Sequence, residues 1–455
     1  MLGRTQLIAI VVVAVVAAAS AGVAVIAFKN GGQDRINIDA QLEVYGNANG
    51  DDRIDQNDLG IIRDIINSAR SFSDHPLADA NCDGIVDDAD YKMVESIIGA
   101  DSDHKVRINI INHFDGKTQI EKNVLYPITS AVATGAANQL LIFKYLGIVD
   151  EIKGLSWAGA PDSFLFSEYK HLITPGKRLE TSATRMDLEK VSELVDKDGV
   201  SAIITADNRT YVNNASAFKS MGVDTIRVTP AAVDSSDYMS TVLMIAFLFD
   251  TDGKGYMQKC ADLIKWYEDF FTDLNNKLGG VKNKVSAVTS SSNTAISSNT
   301  SDYTDVLLAA GAVFPITGID WAGSASKSYD HTQGDTWLNA YSIDYVIPIR
   351  TSVENTFSWY AGTAITAGSN TLKSYMNYFQ TLECYKNKNV YVVCGDMPVV
   401  LRIAYVAQIL YPDVFGQDFA YNYNVNFVKK FFGWEESAIK GKPFYVSMND
   451  VGITV

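Results

Sequence analysis

Basic clusters are missing from this chain. Its 455 residues carry 38 Lys and Arg against 53 Asp and Glu, a net charge of −15, which excludes nucleic acid as a partner because no surface is left to grip a phosphate backbone. Cysteine is also scarce. Cys82, Cys260, Cys384 and Cys394 form no Cys-x-x-Cys pair and no compact disulfide framework; only Cys384 and Cys394, flanking a predicted strand over Val390–Val393, are placed to approach each other. The five histidines (His75, His104, His113, His171 and His331) stand apart, in no His-x-x-Glu-His arrangement and at no ligand spacing to a cysteine, so zinc chemistry is not indicated. Ser290–Ser292 lacks the Gly-x-Ser-x-Gly elbow of a serine nucleophile. With no catalytic constellation, the expectation is a protein that is not an enzyme.

What is present begins with an apolar run. Leu7–Phe28 is uncharged, preceded by Arg4 and followed by Lys29, and is long enough to cross a hydrocarbon core of roughly 30 Å as a helix. An uncleaved membrane anchor is the favoured reading of residues 1–30. A cleaved signal peptide is the alternative, since Ala17-Ala18-Ala19 and Ala19-Ser20-Ala21 resemble cleavage sites. Either way the remainder is expected outside the cytoplasm, attached to the cell membrane or secreted. The sequons at Asn208, Asn214 and Asn299 are compatible with that side. Hydrophobic content of 47% and charged content of 20% describe a globular chain, and its length implies two or three domains.

After a spacer over residues 31–41, two twelve-residue loops repeat 32 residues apart. Asn47, Asn49, Asp51, Asp55 and Asp58 in the first, and Asp79, Asn81, Asp83, Asp87 and Asp90 in the second, put side-chain oxygens at positions 1, 3, 5, 9 and 12. Arg53 and Ile85 at position 7 offer backbone carbonyls. Calcium takes six to eight hard oxygens, and this is the spacing of a calcium loop. Apolar residues at position 8, Ile54 and Val86, should pin each loop to its neighbour. Each loop runs into an amphipathic helix: Leu59, Ile62, Ile65, Ile66 and Ala69 after the first, Val94, Ile97 and Ile98 after the second. Two loop-plus-helix copies over residues 42–101 resemble a dockerin, a small all-α module that binds two calcium ions. The resemblance implies a cohesin-type partner recognised through positions 10 and 11, here Gln56, Asn57, Asp88 and Ala89, which differ from the hydroxyl pair common in that family. Asp52 at position 6, where glycine would ease the turn, and Asn47 at position 1 make the first site the weaker one. A solvated acidic linker is the plain alternative. Asp250-Thr-Asp252-Gly253 begins like a third loop, but Lys254 at position 5 makes it a helix-to-helix turn.

From Val106 strands and helices alternate. Strands are expected over Val106–Ile111, Tyr126–Ser130, Ile152–Ser156, Val200–Ala206, Thr225–Val228, Val285–Thr289, Tyr345–Ile349 and Val390–Val393. Helices are expected over Ala136–Tyr145, Asp187–Asp196, Ala215–Met221, Asp302–Ala310, Thr336–Asn339, Leu372–Leu382 and Val399–Leu410. Ser236–Leu278 should be helical with one break at Asp252-Gly253. The fold class is therefore α/β: two βα lobes with mainly parallel sheets, residues 104–235 and 281–455, joined by a long helix over 236–280. Ile128-Thr-Ser130 leading to Leu146-Gly147-Ile148-Val149-Asp150, Met186-Asp-Leu188-Glu189 before Val200–Thr205, Asn389-Val-Tyr-Val-Val393 and Ala407-Gln-Ile-Leu-Tyr411-Pro412 carry a further likeness. In that order they resemble the helical-backbone solute-binding proteins of ABC importers for iron complexes and cobalamin.

Ligands of open α/β sheets sit beyond the carboxyl ends of the strands. The rule selects Trp157, Arg209, Tyr211, Trp321, Arg350, Trp359 and Tyr360 as candidate ligand-binding residues, a set of aromatic faces and planar cations suited to a metal chelate or tetrapyrrole held between the lobes. Each aromatic has core packing as its alternative role, and each arginine a structural ion pair. A sugar on Asn208 would crowd that site. The resemblance implies an ABC permease as partner, docked through one acidic residue per lobe, with Glu168 and Asp335 the candidates by position. A rival function is a cell-surface assembly or adhesion protein whose dockerin binds a cohesin-bearing scaffold. A chelatase-like enzyme on the same fold is a third, needing a His or Glu that the sequence does not place.

Overall fold

The computed structural model describes residues 40–454, apart from 115–116, 135–136, 157–161, 163, 174–175, 183–184, 208–211, 230–234, 252, 291–294, 322–323, 330–333 and 354. The expected anchor and the spacer up to residue 39 lie outside the described residues. Among the described residues no helix is long and apolar enough to cross a membrane. Two compact units are present. The described residues up to 156, 171–229 and 235–268 form the first; those from 162 to 170 and from 269 onward form the second.

The first unit opens with two short helices, α1 (Gln56–Ile66) and α2 (Asp88–Ile98), followed by an antiparallel hairpin, β1 (Val106–Phe114) and β2 (Lys117–Tyr126). Then come β3 (Ala131–Thr134), α3 (Ala137–Leu146), β4 (Ile152–Ser156), α4 (Leu188–Asp198), β5 (Ala202–Ala206), α5 (Ala215–Lys219) and β6 (Asp224–Val228). The four strands β3 to β6 form one all-parallel sheet in the order β4-β3-β5-β6. Every residue of β5 and β6 is buried, as expected where helices cover both faces of a parallel sheet. Helix α4 starts where the Asp187 carboxylate accepts the Glu189 and Lys190 amides and stops at Gly199, whose φ of 66° a side chain would resist. Val132, Val191, Val200, Ile203, Phe218 and Val223 pack between α4, α5 and the sheet.

Sequence patterning misplaced the start of this unit. Val106–Phe114 is not in the parallel sheet, and Tyr126 ends a strand rather than beginning one. The partner strand Lys117–Tyr126 is mostly polar and partly exposed, so it carries no apolar run to announce it. The hairpin lies instead along the free edge of β6. There Asn112 donates to the Thr225 carbonyl (3.1 Å) and accepts the Arg227 amide, while Asp224 accepts the Leu125 amide (3.2 Å). A side-chain amide thus satisfies an edge that would otherwise present bare backbone groups.

The long helical segment is two helices, α6 (Ser235–Phe249) and α7 (Tyr256–Leu278), with the Asp250 carboxylate accepting the Tyr256 amide at the turn (2.9 Å). Helix α7 passes from the first unit into the second.

The second unit contains β7 (Ala287–Val288), α8 (Asp302–Ala309), β8 (Tyr345–Val346), β9 (Ile349–Arg350), α9 (Ser369–Asn377), β10 (Tyr391–Cys394), α10 (Val399–Leu410), α11 (Phe419–Phe427) and β11 (Tyr445–Ser447). Strands β8 and β7 pair in parallel, as do β9 and β10, but β11 joins β10 antiparallel. The sheet is therefore mixed, and its last strand lies in residues 411–455, to which patterning gave no strand. Tyr345–Ile349 is divided into two short strands, and the helix expected over Leu372–Leu382 stops at Asn377. All twelve residues of α10 are buried, ten of them apolar, with Arg402 donating to the Met397 carbonyl (2.8 Å) and Gln408 accepting the Ala420 amide (2.9 Å). The cysteines are free, Cys384 and Cys394 both buried.

Gly395 follows β10 where the chain passes close to the backbone of Arg350 and Thr351. A Cβ there would lie 2.9 Å from the Arg350 carbonyl carbon and 3.0 Å from the Thr351 nitrogen. Gly395→Ala is expected to destabilise the second unit by about 1–3 kcal/mol because backbone must move. Gly60, exposed inside α1 with nothing within 4 Å of its Cβ position, gives the opposite expectation: Gly60→Ala stabilises by about 1 kcal/mol. Thermal unfolding of both variants checks the pair; equal shifts would contradict it.

Candidate functional site

The two acidic loops fold alike, and the local rules that build them are visible. Position 9, Asp55 or Asp87, caps the following helix, while position 12, Asp58 or Asp90, closes the capping box from inside it. Each position-12 carboxylate is fully buried and two-handed. Asp58 accepts the Asn49 amide (3.0 Å) and the Asp55 amide (2.8 Å); Asp90 accepts those of Asn81 (3.0 Å) and Asp87 (2.9 Å). Positions 3 and 5 repeat as well. The Asp51 amide donates to Asn49 (2.9 Å) and the Arg53 amide to Asp51 (2.9 Å), matched by Asp83 to Asn81 (2.8 Å) and Ile85 to Asp83 (2.9 Å). Ile54 and Val86 pack on the small core of Ala48, Leu59, Ile62, Ala78, Ala80 and Val94, which orients the loops side by side in sequence register. Ala69 falls beyond the end of α1 and is exposed.

The loops differ at positions 1 and 6. Asp79 accepts the Asp83 amide (3.1 Å) and the Gly84 amide (2.8 Å), and Gly84 takes a φ of 93°. Asn47 is instead fully buried, with its amide nitrogen donating to the carbonyls of Leu42 (2.8 Å) and Asp51 (2.9 Å). Those bonds fix which end of the amide is which, and leave Oδ1 a buried acceptor with no protein donor. Asp52 turns outward to a bidentate ion pair with Arg53 (2.8 and 3.1 Å).

Burial pushes the carboxyls of Asp58, Asp79 and Asp90 up, and neighbouring carboxylates push the same way: Asp51 and Asp55 on Asp58, Asp83 on Asp79, Asp79 and Asp83 on Asp90. Backbone amides oppose this only in part. Among the described residues no three His, Cys, Asp or Glu side chains converge as a cage by themselves, because the carboxylates are spread over amides and asparagine and carbonyl oxygens make up the rest of the donor set. Gathered hard oxygens, buried like charges and an orphaned buried acceptor at position 1 fit a divalent cation of the calcium type. Residues 47, 49, 51, 53, 55 and 58, and 79, 81, 83, 85, 87 and 90, would hold the ions, and each ion would supply the counter-charge that the loops lack.

The expected ligand-binding set is not assembled so plainly. Trp157, Arg209 and Tyr211 lie outside the described residues. Trp321 is half-buried, tilted against Phe314 at 6.3 Å. Arg350 is buried, donating to the Ser290 carbonyl (3.0 Å) and hydroxyl (3.1 Å) with its guanidinium over Tyr375; burial pushes it down to about 10. Trp359 and Tyr360 are core residues with no exposed surface. Trp359 donates its indole N–H to the Arg350 carbonyl (2.8 Å), and Tyr360 packs on Phe444 and Trp434. Both follow the antiparallel bridge between Val353 and Phe357, and both rings are turned into the core. Glu168 and Asp335 both fall in the second compact unit.

Sequence reasoning missed a buried acidic pair in the second unit. Asp396, two residues past β10, and Asp162 are nearly unexposed. The Ser352 hydroxyl lies 2.7 Å from Asp162 Oδ2 and 2.6 Å from Asp396 Oδ2, and the Ser358 hydroxyl also donates to Asp162. The strand-end rule applied to β10 would have found Asp396; nothing local would have paired it with Asp162.

No protein-family model matches this chain, and no curated protein does. Solved structures do resemble it. Helicobacter pylori CeuE, described as a nickel–histidine complex, is 15% identical, covering 73% of this chain and 98% of that one with a TM-score of 0.49. Veillonella parvula FepB, described as a TroA-like periplasmic binding protein, is 14% identical over 74% and 100%, TM-score 0.49. Haemophilus influenzae MolA, described as a molybdate periplasmic binding protein, is 14% identical over 72% and 96%, TM-score 0.49. Likenesses at that identity and superposition name no ligand or partner for this chain.

Proposed function

We propose that this protein is an extracytoplasmic solute-binding protein of an ABC importer, anchored by its N-terminal apolar run, capturing a metal chelate or tetrapyrrole and carrying a two-calcium dockerin-like module. The observation that carries the solute-binding part is one unbroken helix, α7, that leaves a βα unit with a parallel sheet and enters a second α/β unit. Ligand contacts would come from strand-end loops, through Trp157, Arg209, Tyr211 and Trp321, with Arg350 holding the Ser290 loop in place. Glu168 and Asp335 remain candidates for the permease. The calcium part is supported by the repeated oxygen pattern and by the orphaned Asn47 oxygen.

Quenching of tryptophan fluorescence by haemin, ferric siderophores and cobalamin tests the solute. Saturation by one of them at micromolar concentration or below is the expected result; no response from a folded chain would remove the receptor reading. One observation favours a second role beside it. Gln56, Asn57, Asp88 and Ala89 are all exposed at the helix starts, so the face a cohesin-type scaffold would read is open. Binding to a cohesin-bearing scaffold would support assembly at the cell surface.

A further inference from the structure

The second calcium loop is gripped by the hairpin that follows it. Two donors of that hairpin hold the carbonyls on either side of the ligand residue Asn81: Asn109 Nδ2 to Ala80 (2.7 Å) and Lys122 Nζ to Cys82 (2.8 Å). Both come from one irregularity. Between the pairs Ile108↔Val124 and Ile110↔Glu121, a single residue of β1, Asn109, faces two of β2, Lys122 and Asn123, and Asn123 takes a φ of 61°. A bulge of this kind re-aims side chains. Here Asn109 is buried with its Oδ1 accepting the Asn123 amide (3.0 Å), and Lys122 is freed to reach the loop.

The grip continues on the other side of β1. The Tyr45 amide donates to the Asn109 carbonyl (2.9 Å), the Ile111 amide to the Glu43 carbonyl (2.9 Å), and the Gly46 amide to Leu77 just before the loop (2.6 Å). His113 and Glu43 add a close pair (2.7 Å). The same hairpin holds the edge of β6 through Asn112 and Leu125, and Lys219 ties Glu121 (2.7 Å) to Asp224 (2.6 Å). From Asn81 to the edge of the parallel sheet the contacts are continuous, and residues 40–98 belong to the same compact unit as the sheet.

We propose that calcium in the second loop orders the β1–β2 hairpin and the sheet edge it covers, so that this module is a calcium-dependent part of the solute-binding body rather than an appendage that binds partners independently. The proposal rests on the calcium reading above. An ion would fix the side chains of Asp79, Asn81 and Asp83 and with them the backbone between; the hairpin holds the Ala80 and Cys82 carbonyls of that same backbone; each therefore stabilises the other.

Hydrogen exchange on the full-length chain, with calcium and with chelator, tests it, alongside terbium luminescence to score occupancy of the loops. Chelation is expected to speed exchange about tenfold or more in both the second loop and residues 106–126. In Asn109→Ala/Lys122→Ala the loop should still bind terbium while the hairpin no longer responds to chelation. If chelation loosens residues 79–98 and leaves 106–126 unchanged in the unaltered chain, the coupling is overturned though the calcium reading stands. If neither terbium nor calcium binds, the calcium reading falls and the coupling with it. Lys117→Ala, on the same strand but with no bond to the loop, is expected to respond to chelation as the unaltered chain does.

Discussion

Asp90→Ala should reduce calcium binding from two ions to one and melt α2. On the proposed calcium reading Asp90 does two jobs at once: it would be the position-12 oxygen donor of the second loop, and its carboxylate accepts the Asn81 and Asp87 amides that hold the loop against its helix. Loss of its half of the capping box alone costs about 1 kcal/mol. Loss of a bound ion at a hundred times its dissociation constant removes a further 2.7 kcal/mol or so. The core shared by α1 and α2 is small, and a module of that size has little to set against such a loss. Calorimetric titration gives the stoichiometry and circular dichroism the helix content. The matching change at the first site, Asp58→Ala, should cost less, because Asn47 already deprives that loop of one charge. Two ions still bound by Asp90→Ala would remove the assignment of position 12, and an equal loss from both variants would remove the ranking of the two sites.

The second large effect is a pH dependence in the second unit. Asp396 is pushed up to about 7 from 3.8, first by burial and then by the Asp162 carboxylate. Ser352 and Arg402 pull the other way, and Cys394 and Tyr360 lie in the same buried surroundings. Geometry gives the reason. Ser352 has one hydroxyl hydrogen and two carboxylate oxygens within reach, so both short contacts are satisfied when one carboxylate carries a proton, and burial favours Asp396. The folded state holds that proton more tightly than the unfolded chain does. Its stabilisation is complete below about pH 4, declines as pH rises toward 7, and is gone above that, a ceiling of about 4 kcal/mol across the window. Asp396→Asn, permanently neutral with a donor facing Ser352, should lose that decline. Asp305, pushed up to about 6, contributes to the same window in both proteins, so the difference between them isolates Asp396. Urea unfolding from pH 4 to 8 at saturating calcium, followed by tryptophan fluorescence, reads it. Parallel pH profiles for the two proteins would contradict the shared-proton arrangement.

The amino-acid sequence by itself determined whatever is local. Calcium-loop donors recur every second residue, helix caps act over three residues, and a helix or a buried parallel strand declares its period within ten. That is why the two parts of the long helix, α10 and the parallel strands β4 to β6 were legible, their ends displaced by a residue or two where capping rather than periodicity sets the stop. Tertiary structure decided what depends on partners distant in the chain. The polar strand Lys117–Tyr126 forms because β1 and the edge of β6 need covering, not because its residues favour it. Trp359 and Tyr360 point inward because a backbone turn chose their direction, and an aromatic at a strand end reads the same in sequence whether it faces ligand or core. Asp162 and Asp396 share a serine across more than two hundred residues. Asn109 and Lys122 meet the second loop only through a bulge, a one-residue mismatch between strands that no periodicity records. Such contacts are set by packing of non-local segments, where burial and the need to pair every buried polar group outweigh local preference.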